Sequence, residues 1–322
     1  MRLRFHAELE WEEAWAEGAE EIEGILDGSL QEDGDRLLLA RFDRPVLVTD
    51  PHRIAALSPA RRDVVSHFFG LPHRVIEYDG VELDFDQSSW PRVWSPSIDT
   101  LLMCRALRSL AAELAGARSA LEVGCGSGYL ALYLMSLAAR AGDPLDEVHV
   151  IDIEPQALSC AMRALEAAAG KTVVTGSVGR RGESLRARGS YDVILLNPPY
   201  IRRPPEQSKA RFHDNPWEGV ALIREMAERG PQFLSPDGSL ILTISSTCDD
   251  LVRPWLEASF DCTVLTSLEV PLKVYGVTSR LTRRSRDWME FLRVTEGLQI
   301  HDPPRDGYDA WQRLQVLRCR RK

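Results

Sequence analysis

SALEVGCGSGYLAL, Ser119 to Leu132, passes from a short apolar run through three alternating glycines into a second apolar run. Five residues ending on Val123 suit a buried strand, and Tyr129 onward suits a helix. Gly124, Gly126 and Gly128 sit between them. Glycine permits a sharp turn there and lets a ligand approach without a Cβ in the way. The helix start behind such a turn offers free N–H groups and partial positive charge. In an open α/β sheet, ligands bind at this carboxyl end of the strands.

Outward from this unit the chain alternates. Strands are expected at 148–152, 172–176, 192–197, 239–245, 262–270 and 314–320. Helices are expected at Ile98 to Leu114, Tyr129 to Arg140, Pro155 to Ala168, Trp217 to Gly230 and Asp249 to Phe260. Strands apolar on both faces, separated by helices, predict a Rossmann-like, doubly wound α/β fold with a mostly parallel seven-stranded sheet. Before residue 88 the texture differs. A helix is expected over 7–27, two short strands after it, and a second helix over 59–69. RVIEYDGVELDFD follows, an alternating hairpin around Asp79-Gly80. The expected organisation is a small α+β region at 1–87 and a larger domain at 88–322, carrying an insert at about 274–310.

The second strand closes on Asp152. A carboxylate there suits both hydroxyls of a ribose; a role at the start of the helix after Pro155 is equally compatible. The glycines and this acid indicate a nucleoside ligand without naming it. Gly126, Gly128 and Ala131 also fit a weak dinucleotide pattern. The stretch VILLNPPYI, Val193 to Ile201, separates these possibilities. Four branched aliphatics end on an amide, two prolines and an aromatic ring. Asn197 offers one acceptor and two donors. Pro198 and Pro199 fix φ and aim their carbonyls, and Tyr200 adds a flat face. The Asn197 side-chain oxygen and the Pro198 carbonyl can each accept one hydrogen of a planar –NH₂ group. Two fixed acceptors favour a pyramidal, positively charged nitrogen over its planar ground state.

The 322 residues carry a net charge of −9 and are 44% hydrophobic, enough for a sizeable core and unfavourable to a large nucleic-acid footprint. Basic residues gather at Arg202/Arg203, at Arg280–Arg286 and at the C-terminus. No run reaches the ~18 apolar residues of a membrane span, and no signal peptide is evident, so a cytoplasmic location is expected. The six cysteines are scattered and are expected to be reduced, mostly buried thiols. No spacing suggests a metal site.

EVGCGSG, then IDIEP, then NPPY, in this order, resembles the class I S-adenosylmethionine-dependent N-methyltransferases, most of all the HemK/PrmC branch that methylates protein glutamine on N5. VWSPSIDTLL also looks like the segment preceding that branch's catalytic domain. The resemblance implies S-adenosylmethionine as cofactor. It implies that Glu122, Gly124, Cys125, Gly126, Gly128 and Thr100 surround its methionine end, and that Asp152 and Ile153 receive the ribose side. Asn197, Pro198, Pro199 and Tyr200 are the implied catalytic residues. Three features depart from the branch. The segment after NPPY, residues 201–223, lacks the Glu-Pro-x-x-Ala-Leu pattern of the glutamine enzymes. Ser177 stands where the third strand often ends in an adenine-binding acid, and the insert is unusual. A protein substrate is favoured. A nucleic-acid base, a small-molecule amine or amide, and a non-catalytic cofactor-binding module are the alternatives. The insert's Trp288, Phe291 and Leu292 are expected to form its own packing face.

Overall fold

The computed structural model describes residues 31–32, 35–36, 38–40, 45–48, 50–56, 73–179, 191–202, 219–272, 290–294, 297–305 and 308–322. The helices expected at 7–27 and 59–69, the cluster Arg280–Arg286 and Trp288 lie outside the described residues.

Besides a short antiparallel ladder that pairs Gln31–Glu32 with Asp35–Arg36, two sheets organise the described residues. The smaller holds β1 (Leu38–Ala40), β2 (Pro45–Val48), β3 (His73–Tyr78) and β4 (Val81–Asp86) in that spatial order, with α1 (Pro51–Ala56) between β2 and β3. Only β2 and β3 run parallel. The β3–β4 hairpin turns where the sequence places it. Asp79 and Gly80 both take positive φ, 52° and 75°, as a two-residue turn matched to strand twist requires.

The larger sheet is built from β5 (Ser119–Val123), β6 (Glu147–Asp152), β7 (Val173–Val178), β8 (Tyr191–Leu196), β9 (Leu234–Ser245), β10 (Phe260–Pro271), β11 (Gln299–Arg305) and β12 (Tyr308–Arg321). Its order is β10-β12-β9-β8-β5-β6-β7, with β11 paired to β12. Strands β9, β8, β5, β6 and β7 run parallel, while β12 is antiparallel to both β9 and β10. The expected mostly parallel, Rossmann-like α/β sheet is present, with an eighth strand from the insert. Every residue of β5 is buried, as for a central strand with helices on both faces.

The helices are α2 (Ile98–Ser109), α3 (Tyr129–Arg140), α4 (Pro155–Ala168), α5 (Gly219–Arg229) and α6 (Ser246–Ser259). α3 and α4 occupy the spans read from the sequence. Glu154 caps α4, accepting from Gln156 N–H, and Pro155 opens it. One apolar core lies under α2, α3 and α4 and another under α5 and α6. The smaller sheet docks on α3. The Tyr129 hydroxyl donates to the Val81 carbonyl at 2.8 Å, and the Tyr133 hydroxyl donates to Asp79 Oδ2 at 3.0 Å.

The cysteine expectation needs one correction. Cys262 and Cys319 form a disulfide across β10 and β12. They are direct partners in the antiparallel register, which brings their Cα atoms to 4.2 Å, a pairing between strands that spacing alone does not reveal. Cys104, Cys125, Cys160 and Cys248 are free and buried. Among the described residues no His, Cys, Asp or Glu group could hold a metal ion, and no helix is long and apolar enough to cross a membrane.

Candidate active site

Strand β8 pairs with β5 so that Leu196 lies opposite Val123. The residues that follow each strand, Asn197 and Gly124, are therefore neighbours at the carboxyl edge of the sheet. The glycine loop itself is tight. Gly124 and Cys125 N–H both donate to the Ile151 carbonyl, at 2.8 and 3.1 Å, and Gly128 N–H donates to the Cys125 carbonyl at 2.7 Å. All three glycines have positive φ: 71°, 52° and 78°. A Cβ on Gly124 would meet nothing within 4 Å, so that side of the loop is open. A Cβ on Gly126 would lie 3.0 Å from the Trp94 carbonyl. The half-exposed Trp94 therefore sits beside the loop.

Asp152 follows from β6 and turns its carboxylate to the loop. Its Oδ2 accepts from Gly126 N–H at 2.9 Å and its Oδ1 from Glu154 N–H at 2.9 Å. Each oxygen keeps acceptor capacity, so the group braces the loop and can still take ribose hydroxyls. Burial raises its pKa. Ile153 is half-buried beside it. An open glycine edge next to a nearly buried, loop-bound carboxylate fits the nucleoside and methionine portions of S-adenosylmethionine. Asp152→Ala removes the brace and the acceptor together. It is expected to weaken cofactor binding by at least 10-fold in calorimetric titration while the protein stays folded.

Four further expected cofactor residues, Glu122, Cys125, Ser177 and Thr100, have these surroundings. Glu122 is 3% exposed and lies behind the loop, where Oε2 accepts from Ala131 N–H of α3 at 3.0 Å. It ties the end of β5 to the first turn of α3. Burial pushes its pKa up to about 8, and the nearby Asp152 charge adds to the effect. The Cys125 side chain is packed in the core, and burial raises its thiol pKa. Ser177 is in register with Ile151, hence on the sheet face opposite to Asp152. Its hydroxyl pairs with His149 Nε2 at 3.2 Å, and burial lowers the His149 pKa. Thr100 Oγ1 accepts from Asn197 Nδ2 at 3.4 Å.

Glu122 leads to a pH prediction. A carboxyl whose pKa is higher in the folded than in the unfolded chain binds its proton more tightly when native. Its favourable contribution is complete below the unfolded value of 4.5 and is lost as pH rises to about 8. Glu122→Gln keeps a carbonyl acceptor for Ala131 N–H and cannot ionise. The variant is expected to melt higher than wild type at pH 8, by the equivalent of a few kcal/mol, and to lose that advantage near pH 4.5.

The NPPY end contains the residue that sequence reading missed. Asn197 Nδ2 donates to Asp99 Oδ2 at 3.3 Å and to Thr100 Oγ1 at 3.4 Å, and the Tyr200 hydroxyl donates to Asp99 Oδ2 at 3.1 Å. Asp99 and Thr100 are buried in the first turn of α2. Asn197 Oδ1 is buried and, among the described residues, has no hydrogen-bond partner. A buried orphan acceptor of this kind costs free energy and marks where a donor from a bound molecule would complete the site. Pro198 is buried, and Pro199 and Tyr200 are half-buried beside it.

The insert also reaches this region. Buried Leu292 packs with Ile201, Leu272 and Ala310, and Tyr200, Phe291 and Leu298 pack against them. Leu292 thus joins the residues directly after NPPY, where the sequence suggested only the insert's own packing face.

The family follows from comparison with known proteins. The methyltransferase small domain model matches residues 100–267, more than half of the chain. The chain belongs to that family. Methyltransferase HEMK2 of Mus musculus is 35% identical over 156 residues, covering 47% of this chain and 70% of the relative. The MTRF1L release factor glutamine methyltransferase of Homo sapiens is 27% identical over 240 residues, covering 68% and 69%. The ribosomal protein uL3 glutamine methyltransferase of Bordetella pertussis is 32% identical over 159 residues, covering 44% and 50%. The chain is a methyltransferase of the HemK-like kind, with S-adenosylmethionine as its cofactor.

Proposed function

We propose that this methyltransferase acts on the side-chain amide nitrogen of glutamine in a protein. The observation that carries the proposal is the orphan Asn197 Oδ1, held by the Asp99 and Thr100 contacts behind it. The edge opposed to the glycine loop thereby presents an acceptor, which suits an –NH₂ donor and disfavours a carboxylate. The relatives named for glutamine methylation support the same substrate class.

S-adenosylmethionine supplies, when bound, an electrophilic methyl group on a sulfonium. The chain's part is to bind and orient the nitrogen. Asn197 Oδ1 and the Pro198 carbonyl each hold one amide hydrogen, which turns the nitrogen lone pair out of the amide plane. Tyr200, fixed by its hydrogen bond to Asp99, stacks on the flat amide. Alignment and fixed acceptors contribute the rate enhancement. No strong base is needed beforehand, because the N-methylated, protonated amide is acidic enough to release its proton to water.

The region at 1–87 and the insert at 274–310 are the proposed substrate-selecting elements. The contacts of Leu292 and Leu298 near Tyr200 support that role for the insert. The cytoplasm, where release factors and ribosomal proteins work, is the proposed location. A cell extract incubated with the enzyme and methyl-labelled cofactor tests the substrate class. Label released by protease and resistant to nuclease is expected. Label removed by nuclease would transfer the activity to a base nitrogen.

A further inference from the structure

We infer that Asp99 is a positioning residue that dictates which end of the Asn197 amide faces the substrate; the inference rests on the amide-nitrogen function proposed above. Its carboxylate receives donors on both oxygens. Oδ1 accepts the Thr100 N–H at 2.8 Å and the Ser97 hydroxyl. Oδ2 accepts Asn197 Nδ2 at 3.3 Å and the Tyr200 hydroxyl at 3.1 Å. An ionised carboxylate only accepts, so the nitrogen end of Asn197 must turn toward it and the oxygen end away. Thr100 Oγ1 also lies against Asn197 Nδ2, at 3.4 Å, but a hydroxyl both donates and accepts and so leaves the choice to Asp99. The reversed amide would oppose oxygen to oxygen at Asp99 and point N–H groups at the N–H groups of the substrate. Asp99 is 7% exposed and acts through Asn197 and Tyr200 rather than on the reacting atoms. One residue thereby sets both halves of the nitrogen site, the acceptor and the stacking ring.

The isosteric substitution Asp99→Asn makes the test sharp. The Thr100 N–H is backbone and cannot turn away, so the oxygen of the new amide must face it. The –NH₂ end then points at Asn197, which accommodates it by rotating and presenting its own nitrogen to the substrate. Asp99→Ala has no such directing effect and leaves the Asn197 amide free to take either orientation. The expected order in kcat, read on whichever nitrogen acceptor the wild type labels, is wild type, then Asp99→Ala, then Asp99→Asn. The Asn variant is expected to fall roughly 10²-fold, like loss of the Asn197 acceptor itself. S-adenosylhomocysteine affinity, measured by calorimetry, should stay within about 2-fold of wild type, the change of a site that keeps its loop interactions. Adding Asn197→Ala to Asp99→Asn should lower kcat no further than Asn197→Ala alone, because residues in one network are not additive. A purely steric or folding role predicts the opposite order, since Asn fills the space and Ala does not. That order, additive losses in the double variant, or loss of the cooperative melt by Asp99→Asn would overturn the inference. Failure of the proposed function would show separately, as a wild-type protein that labels no nitrogen.

Discussion

Asn197→Ala is expected to lower turnover by roughly 10²-fold or more, the loss typical of one preorganised group at a reacting centre, while cofactor affinity stays close to wild type. The separation follows from geometry. Asn197 is hydrogen bonded to Asp99 and Thr100, whereas the glycine loop is braced by Asp152 and the start of α3 by Glu122. Removing the amide deletes the orphan acceptor and leaves the loop's hydrogen bonds intact. Single-turnover kinetics beside calorimetric titration resolves the two quantities. Parallel losses in both would place Asn197 among the cofactor ligands and remove it from the nitrogen site. Near-normal turnover would remove the fork from the mechanism altogether.

Gly128→Ala is expected to be the most damaging single-methyl addition in the glycine loop. A Cβ there would lie 2.8 Å from Ala161 Cα and 2.8 Å from Ala161 Cβ, and the residue has φ +78°. The backbone of α4 therefore rests on the loop where only glycine fits. Left-handed backbone costs a non-glycine residue about 1–2 kcal/mol, and forced overpacking adds about 1–3 kcal/mol. Urea denaturation should show a loss of about 2–5 kcal/mol, the sum of those two effects. Gly124→Ala is the control. Its φ is +71°, but its Cβ would meet nothing within 4 Å, so only the backbone cost of about 1–2 kcal/mol applies. Equal losses in the two variants would show that α4 yields and that packing against Ala161 does not fix the loop.

Much of the fold was legible because the local signals agreed. β5, the glycine loop and α3 follow one another without interruption, and Pro155 marks the start of α4. Asp79-Gly80 has the chemistry of a tight hairpin. The chemistry-bearing ends of the strands were legible for the same reason: a strand that stops on Asn197 or Asp152 in a parallel sheet presents that residue at the ligand-binding edge. What sequence did not yield depends on contacts between distant segments. Asp99 lies in the first turn of a helix, where an acid is explained by the helix dipole alone. Its partners Asn197 and Tyr200 are about a hundred residues away. The Asp-Thr pair opening a helix after Pro96-Ser97 was the available signal, and it drew attention only to Thr100. Glu122 and Cys125 belong to the loop motif, but motif position does not say which way a side chain turns. The structure shows both side chains buried, Glu122 bonded to the start of α3. Strand β11 was hidden by Pro303 and Pro304. It is tolerated because β11 pairs with β12 only at Gln299, Ile300 and Arg305, leaving the prolines outside the ladder.

The chemical identity of the methylated group tests the central claim most directly. Protein labelled with methyl-tritiated cofactor would be isolated, heated in acid and then made alkaline. An N-methylated glutamine amide hydrolyses to glutamic acid and methylammonium, which alkali converts to volatile methylamine. The account predicts that the label leaves as methylamine and that tandem mass spectrometry places the added methyl on a glutamine side chain. Label that stays on a lysine, arginine or backbone nitrogen, or that leaves as methanol from a carboxyl ester, would contradict the account.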